Sequence, residues 1–369
     1  YTSLGAPVAS DLTWETAQQW DLGLDLTMLN NRLNFTGDVY IRDTKGILGK
    51  GKSLPSIYGA NEPQVNSNNL RTKGYELVLG WRDSFKLAGS TFSYGITGTF
   101  SDYTAEYTKC DNPSGLIGDP YVGKKYGEIW GYKVDGLFRN DEEAAEYASR
   151  VDLSKVAAGY YSATGAYGKG VRGGDIKYLD LNGDGIVDNY DTKPIGYSDI
   201  PEIVYGFGFS LQWKAFDLSA FFQGVAHVSF STLTDQTQAF VGRNLKESSV
   251  FADLYGNTWT PENPGAKYPR MTTGAIDNNN QLSTFWMANG RYLRLKNLEL
   301  GYTLPKRWTS KLHITSCRVY VSGDNLFTIT DYRGYNPEVS YKSSNLMPGF
   351  DWGCYPLSRI YSVGLNLTF

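Results

Sequence analysis

Apolar side chains recur at every second position in nine stretches of this 369-residue chain. That is the period of a strand with two unlike faces. In the first stretch Trp20, Leu22, Leu24, Leu26 and Met28 share one face, and Asp21, Gly23, Asp25 and Thr27 the other. Asn30 and Asn31 read as a tight turn. Leu33, Phe35, Gly37, Val39 and Ile41 then alternate with Arg32, Asn34, Thr36, Asp38, Tyr40 and Arg42. A soluble sandwich also alternates, but its inner face rarely sets so many charges opposite a full apolar stripe.

The design recurs. Tyr75, Leu77, Leu79 and Trp81 make one stripe, and Phe92, Tyr94, Ile96, Gly98 and Phe100 the next. Tyr205 to Trp213 and Phe216 to Phe222 follow, joined through Lys214 and Ala215. Cys317, Val319 and Val321 share a face opposite Arg318 and Tyr320, and the last stripe runs from Tyr361 to Phe369. One stretch breaks phase: Leu293 and Leu295 are odd, while Leu298, Leu300, Tyr302 and Leu304 are even. A one-residue bulge near Lys296 and Asn297 restores a continuous apolar face and turns Tyr292, Arg294 and Lys296 inward.

The links between these strands alternate in length. Short ones follow Met28, Trp81, Trp213 and Leu304; long ones occupy 44–69, 102–201, 227–290 and 330–356. Short turns on one side and long loops on the other mark an outer-membrane barrel, so the long links are expected to be extracellular. Trp81, Trp213, Tyr302 and Phe369 fall at strand ends on the short-turn side, where amphipathic rings favour the lipid headgroups. The expected fold is therefore all-β: a transmembrane antiparallel β-barrel. Nine strands are an odd set, and an open edge in lipid leaves backbone groups unpaired. The chain is thus expected to be the C-terminal part of a larger barrel, and plugged transporters have about twenty-two strands.

Composition narrows this further. The aromatic share of 15% and the 41 glycines suit strands rather than helices. A net charge of −3 argues against a nucleic-acid partner. No run of about eighteen apolar residues exists to form a membrane helix, which says nothing against a barrel. The sequence opens at Tyr1 without Met or signal peptide, as expected of a processed chain or fragment. Cys110 and Cys354 both fall in long links; the sequence leaves open whether they pair or stay free.

One local motif carries chemistry. Asp180, Asn182, Asp184, Asp188 and Asp191 place oxygen side chains at positions one, three, five, nine and twelve of a loop, with Gly185 at six. That is the spacing of an EF-hand, and Ca2+ takes six to eight oxygen ligands. These five side chains, with the Ile186 carbonyl, are expected to hold a structural Ca2+ ion. Asp at position twelve replaces the usual Glu, and an Asx-rich solvated turn is the plainer reading. Asn140-Asp-Glu-Glu143 predicts a short capped helix. His227 and His313 are the only histidines, neither in a catalytic motif, so no enzyme is expected.

Several phrases carry a family resemblance. Gly174-Asp-Ile-Lys-Tyr-Leu-Asp-Leu-Asn-Gly-Asp-Gly185 resembles a phrase of the SusC/RagA family of TonB-dependent outer-membrane transporters. So do Trp259-Thr-Pro-Glu-Asn-Pro264 with Tyr268-Pro-Arg270, and Tyr292-Leu-Arg-Leu-Lys-Asn-Leu-Glu-Leu-Gly-Tyr302. Gly323-Asp-Asn-Leu-Phe327, Gly334-Tyr-Asn-Pro-Glu338 and the terminal strand closing on Phe369 are similar too. The resemblance implies a bacterial outer-membrane location, a 22-stranded barrel, a plug domain and a SusD-like lipoprotein lid. It implies import of oligosaccharides, or of peptides in some members, with energy delivered by TonB through the plug, and a dimer of transporter–lid pairs. The plug has no counterpart in these residues. If sugars are the cargo, Trp352 and Tyr335 are the first candidates for aromatic platforms, followed by Trp259, Trp286 and the inward Arg294. Two other classes stand beside the importer: a non-transporting, calcium-stabilised surface binding protein, and an outer-membrane enzyme.

Overall fold

A computed structural model describes residues 7–51, 55, 57, 59, 62–112, 119–157, 170–232, 252–271, 277–334, 336–338 and 356–369. The nine alternating stretches form nine strands. They are β1 (Thr16–Met28), β2 (Leu33–Lys50), β3 (Gln64–Leu87), β4 (Ser90–Lys109) and β5 (Ile203–Trp213). Then come β6 (Phe216–Ala226), β7 (Tyr292–Thr303), β8 (Ser316–Thr330) and β9 (Ile360–Thr368). All nine join one antiparallel sheet in chain order.

The strands are staggered. A cross-strand row that starts at Met28, the last residue of β1, passes through Leu33, Trp81, Ile96, Phe209, Ala220, Leu298 and Gly323 and reaches Tyr361, near the start of β9. Such shear is what closing a tilted sheet into a barrel requires.

The two faces differ as the alternation demands. The apolar stripes lie open, with Trp20 81% and Val363 80% exposed, and Leu22, Leu79, Val321 and Leu365 exposed with them. A face this large and apolar is not tolerated in water, and it suits lipid. On β2 the stripe runs from Leu33 to Ile41, about the nine to eleven residues a tilted strand needs to span a bilayer. At the next outward positions Asp43 binds Arg71 of β3 through two hydrogen bonds of 2.7 and 2.9 Å. Charge thus resumes where lipid ends. β2 and β3 continue past that point to Lys50 and from Gln64, so both flanks of the expected loop 44–69, half of its residues, are strand.

The phase break in β7 is a bulge. Phe221 of β6 pairs with Asn297 and Phe222 with Leu295, so Lys296 has no opposite residue. β8 shows the matching shift, with Leu295 against Phe327 and Asn297 against Asp324. The turns also differ in detail from the sequence reading. The β1–β2 turn uses three left-handed residues, Leu29, Asn30 and Asn31. The β7–β8 link is no tight turn: it carries the short helix α2 (Lys306–Thr309) and a 3-10 turn, Ser310–Leu312.

At the other end of the sheet, the links after β4 and β6 fold together. Tyr132, Phe138, Leu153, Val156, Ile176, Tyr178 and Val187 from the first pack with Leu254 and Trp286 from the second in one apolar core. A helix α1 (Asp141–Arg150) covers part of it. Asn140 caps α1 by accepting from the Glu143 N–H at 2.8 Å, and the Glu143 carboxylate reaches back to the Arg139 N–H at 2.8 Å. That backbone bond, with Lys177 beside it, holds Glu143 below the usual carboxylate range. The result is a folded cap at the long-link end of the sheet.

Candidate functional site

The inner face of the sheet is polar because alternation puts every second side chain there. Thr36 donates to Asp25 at 2.7 Å and Arg42 to Gln19 at 2.7 Å, both across the β1–β2 pair. On neighbouring strands Arg318 of β8 donates to Asp217 of β6 at 3.0 Å and to Glu299 of β7 at 2.7 Å. Near the short turns this face forms an open hollow of about 930 Å³ whose lining includes Arg32, Arg82, Ser93, Ser210, Gln212 and Asp217. An interior of this kind carries hydrophilic cargo or a hydrophilic plug, and it is a poor surface for lipid.

Two networks join phrases that are far apart in sequence, one within the cap and one between β7, β8 and the segment after β8. Asp175 is fully buried, and Arg270 binds it through Nε at 2.8 Å and Nη2 at 3.3 Å. Asn279 donates to the same carboxylate at 3.1 Å and accepts from the Ile176 N–H at 2.8 Å. The Arg270 N–H donates to the Gly174 carbonyl at 3.0 Å. Gly174 has φ +83° and lies under the Trp259 indole, where a Cβ would come within 2.5 Å of the ring. No other residue fits that approach.

The second network sits at the inner side of β7. Arg294 is 2% exposed and donates to Thr328 at 2.8 Å and Asn336 at 2.7 Å. Its Nη1 lies 2.8 Å from Glu338, which also accepts from the Tyr292 hydroxyl at 2.8 Å and from Lys296 at 3.4 Å. Burial alone would raise Glu338, but the Tyr292 hydroxyl, Arg294 and Lys296 together hold it below the usual carboxylate range. The bulge makes this possible by turning Tyr292, Arg294 and Lys296 to one side.

These placements revise the substrate candidates. Trp286 is 3% exposed, packs edge-on against Phe285 and donates its indole N–H to the Asn279 carbonyl at 2.8 Å, so it is a core residue. Trp259 covers Gly173 and Gly174. Arg294 is buried within its own network rather than open to cargo. Trp352 and Tyr335, and Cys354 with them, lie outside the described residues. A feature missed in the sequence is a cavity of about 300 Å³ at the seam of cap and wall, lined in part by Lys125, Tyr126, Glu128, Tyr197 and Glu202. His227 stacks on Tyr197 at 4.4 Å and its Nδ1 lies 3.4 Å from Glu202. Nothing in the local pattern announces that juxtaposition.

The 180–191 loop is folded by its own amides. Asp180 accepts from the Gly183 and Gly185 N–H groups at 2.7 and 2.9 Å, and Asp184 from Ile186 at 2.8 Å. Asn182 accepts from Asp184 at 2.9 Å and Asp188 from Tyr190 at 2.8 Å. Asp191 is buried and accepts from Leu181 at 2.7 Å and Asp188 at 2.9 Å. The donor set is all hard oxygen, the chemistry Ca2+ takes. Among the described residues, however, no three His, Cys, Asp or Glu side chains are gathered as a group that holds a metal.

A family model described as TonB dependent receptor-like, beta-barrel matches residues 1–326. The chain is 30% identical over 97% of its length to TonB-dependent receptor P3 of Formosa agariphila, of which it covers 34%. It is 24% identical over its whole length to TonB-dependent receptor SusC of Bacteroides thetaiotaomicron, again covering 34%. It spans about a third of the length of these relatives. Among solved structures its fold is similar to the RagAB peptide importer in the open-open state. The TM-score is 0.71 at 22% identity, over 100% of this chain and 36% of that one.

Proposed function

We propose a function from one premise: this chain belongs to the TonB-dependent receptor β-barrel family and is an outer-membrane protein of the SusC/RagA type. On that premise we propose that it forms part of the wall and the outer cap of an importer. The cargo would be oligosaccharides, delivered with a SusD-like surface lipoprotein as lid. TonB would supply energy through a plug contributed by the rest of the full-length protein. One observation carries the reading: nine strands present a continuous apolar face outward and a charged, hydrogen-bonded face inward, beneath a folded cap. A wall built this way separates lipid from water and does no chemistry of its own. Its two edges, β1 and β9, lack a partner strand among the described residues, and further strands are needed to close it in lipid.

The likeness to a peptide importer favours a second reading, in which peptides are the cargo. Growth separates the two. Deleting the full-length gene in its host should abolish growth on the oligosaccharide while leaving growth on its monosaccharide unchanged. Loss of growth on peptides instead would favour the second reading, and unchanged growth on both would overturn import. Affinity purification of the full-length protein should also bring down a lipoprotein.

The 180–191 loop is proposed as a Ca2+ site that fastens the cap. Asp180, Asn182, Asp184, Asp188, Asp191 and the Ile186 carbonyl would supply the oxygens. The support is their EF-hand spacing and the left-handed Gly185 at position six, with φ +83°. Binding would have to draw the carboxylates together. Chelation of the full-length protein should speed proteolytic cleavage within 180–191, and added Ca2+ should reverse it. A cleavage rate indifferent to chelator and to Ca2+ would remove the metal from the account.

A further inference from the structure

The short-turn rim carries a cluster of cations whose charge is unbalanced. Lys214 sits in the β5–β6 turn with φ +55°, and its ammonium lies 4.4 Å from the centre of the Trp213 ring. The β7–β8 link is its neighbour in space: the Thr303 N–H donates to the Ala215 carbonyl at 2.8 Å. That link, residues 304–315, contributes Lys306, Arg307 and Lys311 and holds no acidic residue. All four cations are exposed, and none has an ion pair with an acid among the described residues.

The acidic side chains nearby are already used. Asp217 and Glu299 face inward and are bound by Arg318, and Asp83 is bound by Arg32. The same corner carries rings at the level of the apolar band's edge. Trp308 is 56% exposed with Arg307 over its ring at 5.7 Å, and Phe216 packs on Tyr302 at 4.8 Å. Cations set beside exposed aromatic rings, at the edge of an apolar band, match a leaflet whose headgroups bear negative charge.

We propose that Lys214, Lys306, Arg307 and Lys311, with Trp213 and Trp308 seated among the headgroups, bind the phosphates of anionic phospholipids in the leaflet on the short-turn side. This rests on the membrane reading above. The four cations are donors only, so each meets a phosphate oxygen without needing an acid of its own. Arg307 adds a planar fork that donates to two such oxygens at once. The rings hold the depth of the wall, and the cations choose the lipid.

The test uses the full-length transporter, in wild-type form and as a Lys306→Gln, Arg307→Gln, Lys311→Gln variant. Each is reconstituted into phosphatidylethanolamine vesicles with and without phosphatidylglycerol, and the lipid retained after detergent extraction is counted by native mass spectrometry. The wild type should retain phosphatidylglycerol roughly ten- to a hundredfold more strongly than the variant, from the charge removed. Lys214→Gln alone, which leaves the β7–β8 link intact, should give a smaller loss in the same direction. Equal retention by wild type and variants overturns the proposal, as does full displacement of the lipid by inorganic phosphate, which would make the site one for free anions. Failure of the wild type to insert into either vesicle would instead overturn the membrane reading, and is told apart by flotation.

Discussion

The Asp175 carboxylate is cut off from water, so its charge depends on what surrounds it. Arg270 supplies a two-pronged contact, and Asn279 and the Arg172 N–H supply further donors. Removing one partner of a buried pair typically costs about 3–5 kcal/mol, because the remaining charge loses its compensation. Arg270→Ala should therefore loosen the cap by about that amount while leaving the wall intact. Limited proteolysis of the folded protein would show it as faster cutting within 170–290, and an unchanged pattern would argue that the pair is dispensable. Trp259 and Trp286 teach a related lesson. A Trp in a loop reads the same whether it is a cargo platform or a core residue. What separates them is Gly174 under one ring, a contact across 85 residues that no local spacing encodes, and the Asn279 carbonyl at the other indole, seven residues back but placed there only by the folded cap core.

At the scale of single elements, β7 was the most legible. The shift from odd to even apolar positions at Lys296 located its bulge, because a period of two leaves no other way to keep one face apolar. Deleting Lys296 should therefore be severe. It would turn Tyr292 and Arg294 toward lipid and break the Glu338 network. Heat-modifiable mobility on gels, the usual sign of a folded barrel, should be lost or sharply reduced; retained mobility would mean the bulge is incidental. The Glu338 contacts also predict a pH response. The folded carboxyl ionises below the usual glutamate range, so its tie to Tyr292, Arg294 and Lys296 stabilises fully above that range. The contribution fades as pH falls through the depressed value. Amide protection in the segment after β8, measured against the intrinsic exchange rate at each pH, should fall on acidification below the ordinary glutamate range, and protection that is unchanged or rises there would contradict the assignment. The link after β7 was less legible, because α2 and its 3-10 turn are too short to show a period.

For the whole molecule, the wall could be read from the chain and the cap could not. Each of the nine strands carries its own two-sided pattern, and each reappears in the sheet in the expected order. The cap has one core built from two separate links, with Tyr178 and Trp286 in the same cluster, and neither link alone has enough apolar residues in register to announce it. Yet the phrases that mark the family turn out to be each other's partners. Gly174 and Asp175 meet Trp259 and Arg270, and Tyr292, Arg294 and Lys296 meet Asn336 and Glu338. Their sequence signature is that of structural joints between wall, cap and loop. Strands β2 and β3 outrun the apolar band because an ion pair, Asp43 with Arg71, takes over where lipid ends and the ladder itself needs no lipid to continue.

The central claim is that the odd positions of β2 meet hydrocarbon and the even positions meet water. Nitroxide labels placed singly at residues 33 to 41 of the full-length protein in bilayers test it directly, through collision rates with oxygen and with a water-soluble nickel complex. Oxygen accessibility should peak at 33, 35, 37, 39 and 41 and nickel accessibility at 34, 36, 38 and 40, two waves in opposite phase. Two waves in phase, or nickel reaching the odd positions as readily as the even ones, would contradict it.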